Sequence, residues 1–213
     1  MMPRTPPPVP GVAVNVLFRS ATVTIQDWCC RGADRNAEEA AQGHVVAVTR
    51  RGAYLRQIGR DRVFADSGTA VFCEPGQPYR VSHPVQGGDL CTLFVLPPEG
   101  VRQLVGRHVP ADAAQATPTF LASHAAIDCR TFLLHRVARD AAIVGEDPLV
   151  VEETALGFVE RALQAADPTE GAAAARVVPL RTARDYAERV RAIVARRFRE
   201  RLSLVEIAHE DTP

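Results

Sequence analysis

Residues 12 to 96 repeat one device: a short run of alternating apolar side chains, then glycine or proline. The runs are 14–18, 21–28, 44–49, 53–58, 62–65, 69–73, 79–82 and 90–96. The breaks fall at Gly52, Gly59, Asp66-Ser67-Gly68, Pro75-Gly76-Gln77-Pro78 and Gly87-Gly88. Alternation with period two places successive side chains on opposite faces of a strand. Strands this short, spaced by about 8–12 residues with turn residues at every break, specify an all-β sandwich or barrel. The stretch RNAEEAAQ, residues 35–42, is compatible with a helical turn or with a loop.

After Pro97-Pro98-Glu99-Gly100 the period changes to that of a helix. A short helix is expected over 101–109. Residues 127–144 place Phe132 or Leu133, Leu134, Val137, Ala141 and Val144 at three- and four-residue spacing, and 150–166 do the same with Val151, Ala155, Phe158, Val159 and Leu163. The short VGEDP break between them predicts an antiparallel helical hairpin. Residues 167–180 carry proline and glycine without a usable stripe and read as a linker. A further helix is predicted over 182–199, with Tyr186, Val190, Ile193, Val194 and Phe198 on one face, and Ser203 with Glu206 forms a capping box that starts another. The predicted organisation is therefore 1–11 disordered and proline-rich, 12–100 a β domain, 101–166 helical, 167–180 a linker and 181–213 a second, all-helical unit.

Formal net charge is zero, so no global field draws the chain to nucleic acid or to an anionic membrane. One local exception lies in 181–201, where eight arginines face three carboxylates for a net +5. The five cysteines show neither zinc-finger spacing nor a disulfide framework. No apolar stretch approaches the roughly 18 residues of a membrane span, and the N-terminus has proline where a signal peptide needs its apolar run. A soluble, cytoplasmic protein is expected. The sequence holds no phosphate-binding glycine loop, no Gly-x-Ser-x-Gly and no His-x-His pair. The expectation is a non-enzyme without metal or cofactor, in which Cys73 and Cys91 approach each other on adjacent strands as small apolar side chains.

Two sets of residues carry a family resemblance. Pro75, Gly76, Tyr79, His83, Pro84, Gly87, Gly88 and Asp89 follow one another as in the cupin-like ligand-binding domain of the arabinose-regulator (AraC/XylS) family. The segment ERVRAIVARRFRERLSLVEIA, residues 188–208, resembles the opening of that family's DNA-binding domain. The resemblance implies an α+β chain: a cupin-like β-barrel or jelly roll, a helical hairpin that dimerises and an incomplete helix-turn-helix domain. It implies a ligand-modulated transcriptional regulator, here cut short before the recognition helix, so specific DNA binding is expected to be absent or feeble. Arg196, Arg197 and Arg201 are the expected contacts to DNA phosphate. Candidate effector-binding residues are Glu74, Tyr79, Arg80 and His83 near the Pro-Gly turn, with Tyr54 and Arg56 on one face of a neighbouring strand. The alternative is a stand-alone ligand-binding or dimerising module that modulates a complete relative; a cupin-type metalloenzyme is the third reading.

Overall fold

The computed structural model describes residues 11–32, 35–84, 87–105, 119–166, 181–197, 199–203 and 206–207. Ten strands form: β1 (Val12–Arg19), β2 (Thr24–Cys30), β3 (Arg35–Ala40), β4 (His44–Gly52), β5 (Tyr54–Ile58), β6 (Asp61–Ala65), β7 (Thr69–Cys73), β8 (Pro78–Ser82), β9 (Asp89–Leu96) and β10 (His124–Ala126). The helices are α1 (Pro98–Val105), α2 (Cys129–Val144), α3 (Pro148–Ala166) and α4 (Arg181–Arg197). Each of the eight runs read from alternation becomes a strand. RNAEEA becomes an additional edge strand, paired with β8 in a register that shifts between Arg35 and Glu39. Its alanines and glutamates favour a helix in isolation, and sheet pairing overrides that preference.

The strands make two antiparallel sheets, one in the order β1-β2-β9-β4-β7-β10 and the other β3-β8-β5-β6. Strand β4 explains the layering. Its HVVAV run is buried throughout because both faces are covered. Val46 and Val48 join Ile25, Phe72 and Phe94 against the helices, while Val45 and Ala47 face the second sheet with Tyr54, Val63 and Val81. Cys73 and Cys91 do not lie on adjacent strands, since β4 separates β7 from β9; both are free thiols.

Helices α2 and α3 pack as the expected hairpin on the outer face of the larger sheet. Asp128 caps α2 by accepting from the Thr131 N–H at 2.7 Å, and Gly145, at φ 75°, ends it. The stripe read for α3 is the buried one: Val151, Ala155, Phe158, Val159 and Leu163 all face the core. For α2 the expectation holds in part: Ala141 is buried, and Phe132 and Leu134 pack half-buried against the core. The buried face is Thr131, His135, Ala138 and Ala141, whereas Leu133, Val137 and Val144 stand exposed. Small residues on that face let α2 approach the sheet closely, and Phe94 with Phe158, their ring centroids 4.7 Å apart, fill the space beside them. Asp27 of β2 fastens the layers: it accepts from Arg139 of α2 at 2.7 Å and pairs with Arg50 of β4 at 3.1 Å.

The helix predicted after the linker forms as α4 and packs on the outer face of the smaller sheet. Arg191 donates to Asp66 at 2.7 Å and to Thr69 at 2.8 Å and lies over the Phe64 ring, while Ile193 is buried and Ala192 and Ala195 meet Ala53, Phe64 and Leu55. The capping box at Ser203 forms, with Glu206 accepting from the Ser203 N–H at 2.8 Å. The rest of the predicted second helical unit, the 167–180 linker and most of the 1–11 segment lie outside the described residues. Among the described residues no helix is long and apolar enough to cross a membrane.

Candidate functional site

A cavity of about 450 Å³ separates the two sheets. Alternation along β2 places Gln26, Trp28 and Cys30 on its wall, with Ile25 and Asp27 turned to the helices. Val45, Ala47, Leu93 and Val95 extend that wall, and Tyr54, Arg56, Tyr79 and Val81 form the opposite one. The Trp28 indole N–H donates to Gln26 Oε1 at 3.1 Å, which orients both side chains.

Arg56 gives the cavity its chemical character. Only 1% of it is exposed. Its Nη1 donates to the Phe72 carbonyl at 2.5 Å and to Cys73 Sγ at 3.3 Å, and its Nη2 to the Ser123 carbonyl at 2.5 Å. These partners are neutral, and among the described residues the buried Nε–H has no acceptor. A cation taken out of water without a counter-charge costs several kcal/mol, which an incoming anion offsets. Burial pushes the Tyr54 phenol well above its ordinary pKa and raises the Cys73 and Cys91 thiols too, so all three are neutral at pH 7.

Of the candidate residues read from sequence, the structure brings Tyr54, Arg56 and Tyr79 together on the cavity wall. The shared face of Tyr54 and Arg56, left open by the sequence, is the inner one. Arg80 alternates outward, is exposed and sits 3.5 Å from Glu38. Glu74 lies apart from the cavity: one oxygen is 3.3 Å from His44 Nε2, and the other accepts from the Phe120 N–H at 2.5 Å, tying β4 to the segment before β10. His83 is buried beside the cavity's end, with Nε2 2.6 Å from Asp89 Oδ1. There it meets Cys30, and among the described residues these three bring metal-ligating atoms close together.

The proposed DNA contacts also separate. Arg196 edges an outer cleft of about 760 Å³ with Arg31, Arg51 and Arg199, Arg197 donates to Glu200 at 2.8 Å, and Arg201 is exposed beyond the helix. Gln26, Trp28 and Cys30 were missed as site residues. Their signal is the even-numbered face of TIQDWCC, which carries an amide, an indole and a thiol where a packed core needs aliphatic side chains.

No family model matches the chain, and no curated relative matches it. Similar solved structures include a protein of unknown function from Rhizobium leguminosarum bv. viciae 3841, at 18% identity over 41% of this chain and 82% of that one, TM-score 0.37. KdgF from Halomonas sp. is 14% identical over 43% and 85%, TM-score 0.35. A cupin superfamily protein from Desulfitobacterium hafniense DCB-2 is 13% identical over 43% and 83%, TM-score 0.34. Each covers less than half of this chain, and likeness at this level says nothing of activity.

Proposed function

We propose that this chain is a ligand-modulated transcriptional regulator of the arabinose-regulator type. In this reading its cupin-like β domain is a sensor, not an enzyme, and holds a small, largely apolar effector bearing a carboxylate. The observation that carries the reading is the buried Arg56 guanidinium on the wall of an otherwise mainly apolar cavity, with no carboxylate partner among the described residues. Ligand pockets take this form, with apolar walls and a few polar groups that fix orientation. The acid would pair with Arg56, the Tyr54 and Tyr79 hydroxyls would orient it, and its apolar part would lie against Val45, Leu93 and Val95. The regulatory output rests on the sequence resemblance, and a cytoplasmic location goes with that reading.

Calorimetric titration with hexanoate and benzoate, each against its uncharged amide, tests the sensor reading. The acids are expected to bind and the amides to bind at least about tenfold more weakly, because leaving a buried charge without its partner costs about 2–5 kcal/mol. Arg56→Met is expected to remove that preference. Equal binding of acid and amide by the unaltered protein, or no binding of either, contradicts the reading without recourse to any variant.

A homodimer belongs to the same proposal. Leu133, Val137 and Val144 recur on the outward face of α2, and a second copy laid against that face would bury them. Light scattering at tens of micromolar is expected to give twice the 23.1 kDa chain mass, and Val137→Glu to return it to monomer. A monomer in the unaltered protein removes dimerisation from the account.

A further inference from the structure

A second constellation lies at the end of the sandwich, and it does not depend on the effector reading. Cys30 closes β2, Asp89 opens β9 directly opposite it in register, and His83 follows β8 in the other sheet. The Cys30 sulfur, a His83 ring nitrogen and an Asp89 carboxylate oxygen lie within 4.8 Å of one another. All three side chains are buried: Cys30 is 6% exposed, Asp89 8% and the His83 side chain 1%.

The backbone around them leaves little room for displacement. A Cβ on Gly88 would stand 2.0 Å from the Cys30 carbonyl oxygen, and one on Gly52 2.1 Å from the Gly88 carbonyl oxygen. Both glycines have positive φ, 70° and 76°, so two features at once exclude a side chain there. The end of β2, the entry to β9 and the end of β4 thus pass in backbone contact, which fixes the backbone carrying Cys30 and Asp89. Asp89 is oriented further by Cys91, whose thiol donates to the second carboxylate oxygen at 3.0 Å.

We infer that Cys30, His83 and Asp89 form a binding site for a divalent transition metal of the zinc type. A thiolate, an imidazole and a carboxylate are the donors such an ion takes, and hard cations such as magnesium and calcium prefer all-oxygen sets. Zinc at about 2.0–2.3 Å from each donor holds the donors about 3.3–3.8 Å apart. His83 Nε2 and Asp89 Oδ1, now 2.6 Å apart, separate by about an ångström to admit the ion. Cys30 and Asp89 border both the inner cavity and the outer cleft beside Arg31 and Arg51. The bound ion would cross-link the two sheets at the mouth of the sandwich, since His83 follows a strand of the smaller sheet while Cys30 and Asp89 belong to the larger.

Cobalt(II) titration of the chelator-stripped full chain provides the test. One equivalent is expected to bind with a sulfur-to-cobalt charge-transfer band and the visible absorption of tetrahedral cobalt, and zinc is expected to displace it. Cys30→Ser should abolish the charge-transfer band, and His83→Gln and Asp89→Asn should each weaken binding at least about tenfold. Cys91→Ala, which removes only the orienting thiol, should cost about tenfold. Cys129→Ser, at an exposed position, should change nothing. Zinc-edge X-ray absorption of the unaltered protein needs no variant to fold and should show one sulfur at about 2.3 Å with nitrogen and oxygen at about 2.0 Å. Absence of stoichiometric binding, a charge-transfer band that survives Cys30→Ser, or an all-oxygen shell overturns the assignment. Effector titration of the metal-free protein keeps the two readings separable, since either can fail alone.

Discussion

Phe158→Ala is expected to lower the unfolding free energy by about 3–5 kcal/mol, the range for deleting a buried aromatic ring. Phe158 is wholly buried in the third turn of α3. Its ring meets Phe94 of the larger sheet at 4.7 Å and His135 of α2 at 5.9 Å, so it contacts both other layers of this core. The inward face of α2 also carries Ala138 and Ala141, which are too small to fill the space the ring leaves. The cavity therefore adds its own cost to the lost transfer energy. Urea denaturation measures the effect, and Leu149→Ala, at a residue 74% exposed, is expected to shift it by less than about 1 kcal/mol. A loss below about 1 kcal/mol for Phe158→Ala would contradict the packing described for α2 and α3.

The second large effect belongs to pH. Burial lowers the His135 pKa from 6.5 to about 4. Its Nδ1 lies 2.9 Å from the Phe132 carbonyl and its Nε2 3.3 Å from Thr92 Oγ1, so the neutral ring bridges α2 to β9. The unfolded chain takes up this proton at a higher pH than the folded one. Stability attached to His135 is thus fully present above pH 6.5, falls as pH drops from 6.5 to 4, and is flat below that. The total is about 3 kcal/mol, because each tenfold loss of proton affinity on folding corresponds to roughly 1.4 kcal/mol. Denaturation curves at pH 7.0, 5.5 and 4.5 should show the decline, and His135→Gln should remove most of it. An unchanged decline in His135→Gln would assign the acid sensitivity to other groups.

Much of the β domain was legible because its strand breaks are chemical. Gly59, Asp66-Ser67-Gly68 and Pro75-Gly76 punctuate the chain wherever it turns, and alternation between them allows no other element. RNAEEA was illegible as a strand because its pairing comes from β8, forty residues away, and not from its own propensity. The two helices of the hairpin show what periodicity measures. In α3 the apolar stripe and the buried face coincide. In α2 the stripe divides: Ala141, with Phe132 and Leu134 half-buried, turns to the core beside Thr131, His135 and Ala138, while Leu133, Val137 and Val144 turn outward, since spacing reveals that a helix has an apolar face without revealing what meets it. The fold of 182–199 shows a related limit. Its helix is legible, but its seat on Phe64 and Asp66 depends on the outer face of a sheet more than a hundred residues earlier.

Legibility of the site divides along the same line. Tyr54 and Arg56 share a face by alternation, and Tyr79 follows the Pro-Gly turn that aims it inward. Arg80, one residue on, must point away for the same reason. Glu74 and His83 sit close to that turn in sequence and yet serve other contacts, to His44 and to Asp89. Cys30 is separated from Asp89 by more than fifty residues, and only the β2–β9 register makes them neighbours. A search for His-x-His looks for metal ligands two apart on one strand, so it passes over a set gathered from three segments.

Arg56, inside the sandwich, is proposed to read the charge of a bound effector. Nitrogen-15 spectra of the arginine Nε–H groups, recorded while hexanoate is added, address it directly. The account predicts a saturable shift of the Arg56 resonance, no comparable shift with hexanamide, and little change at Arg31 and Arg51 of the outer cleft. A shift confined to Arg31 and Arg51, or an Arg56 resonance that does not move at saturating acid, would contradict it.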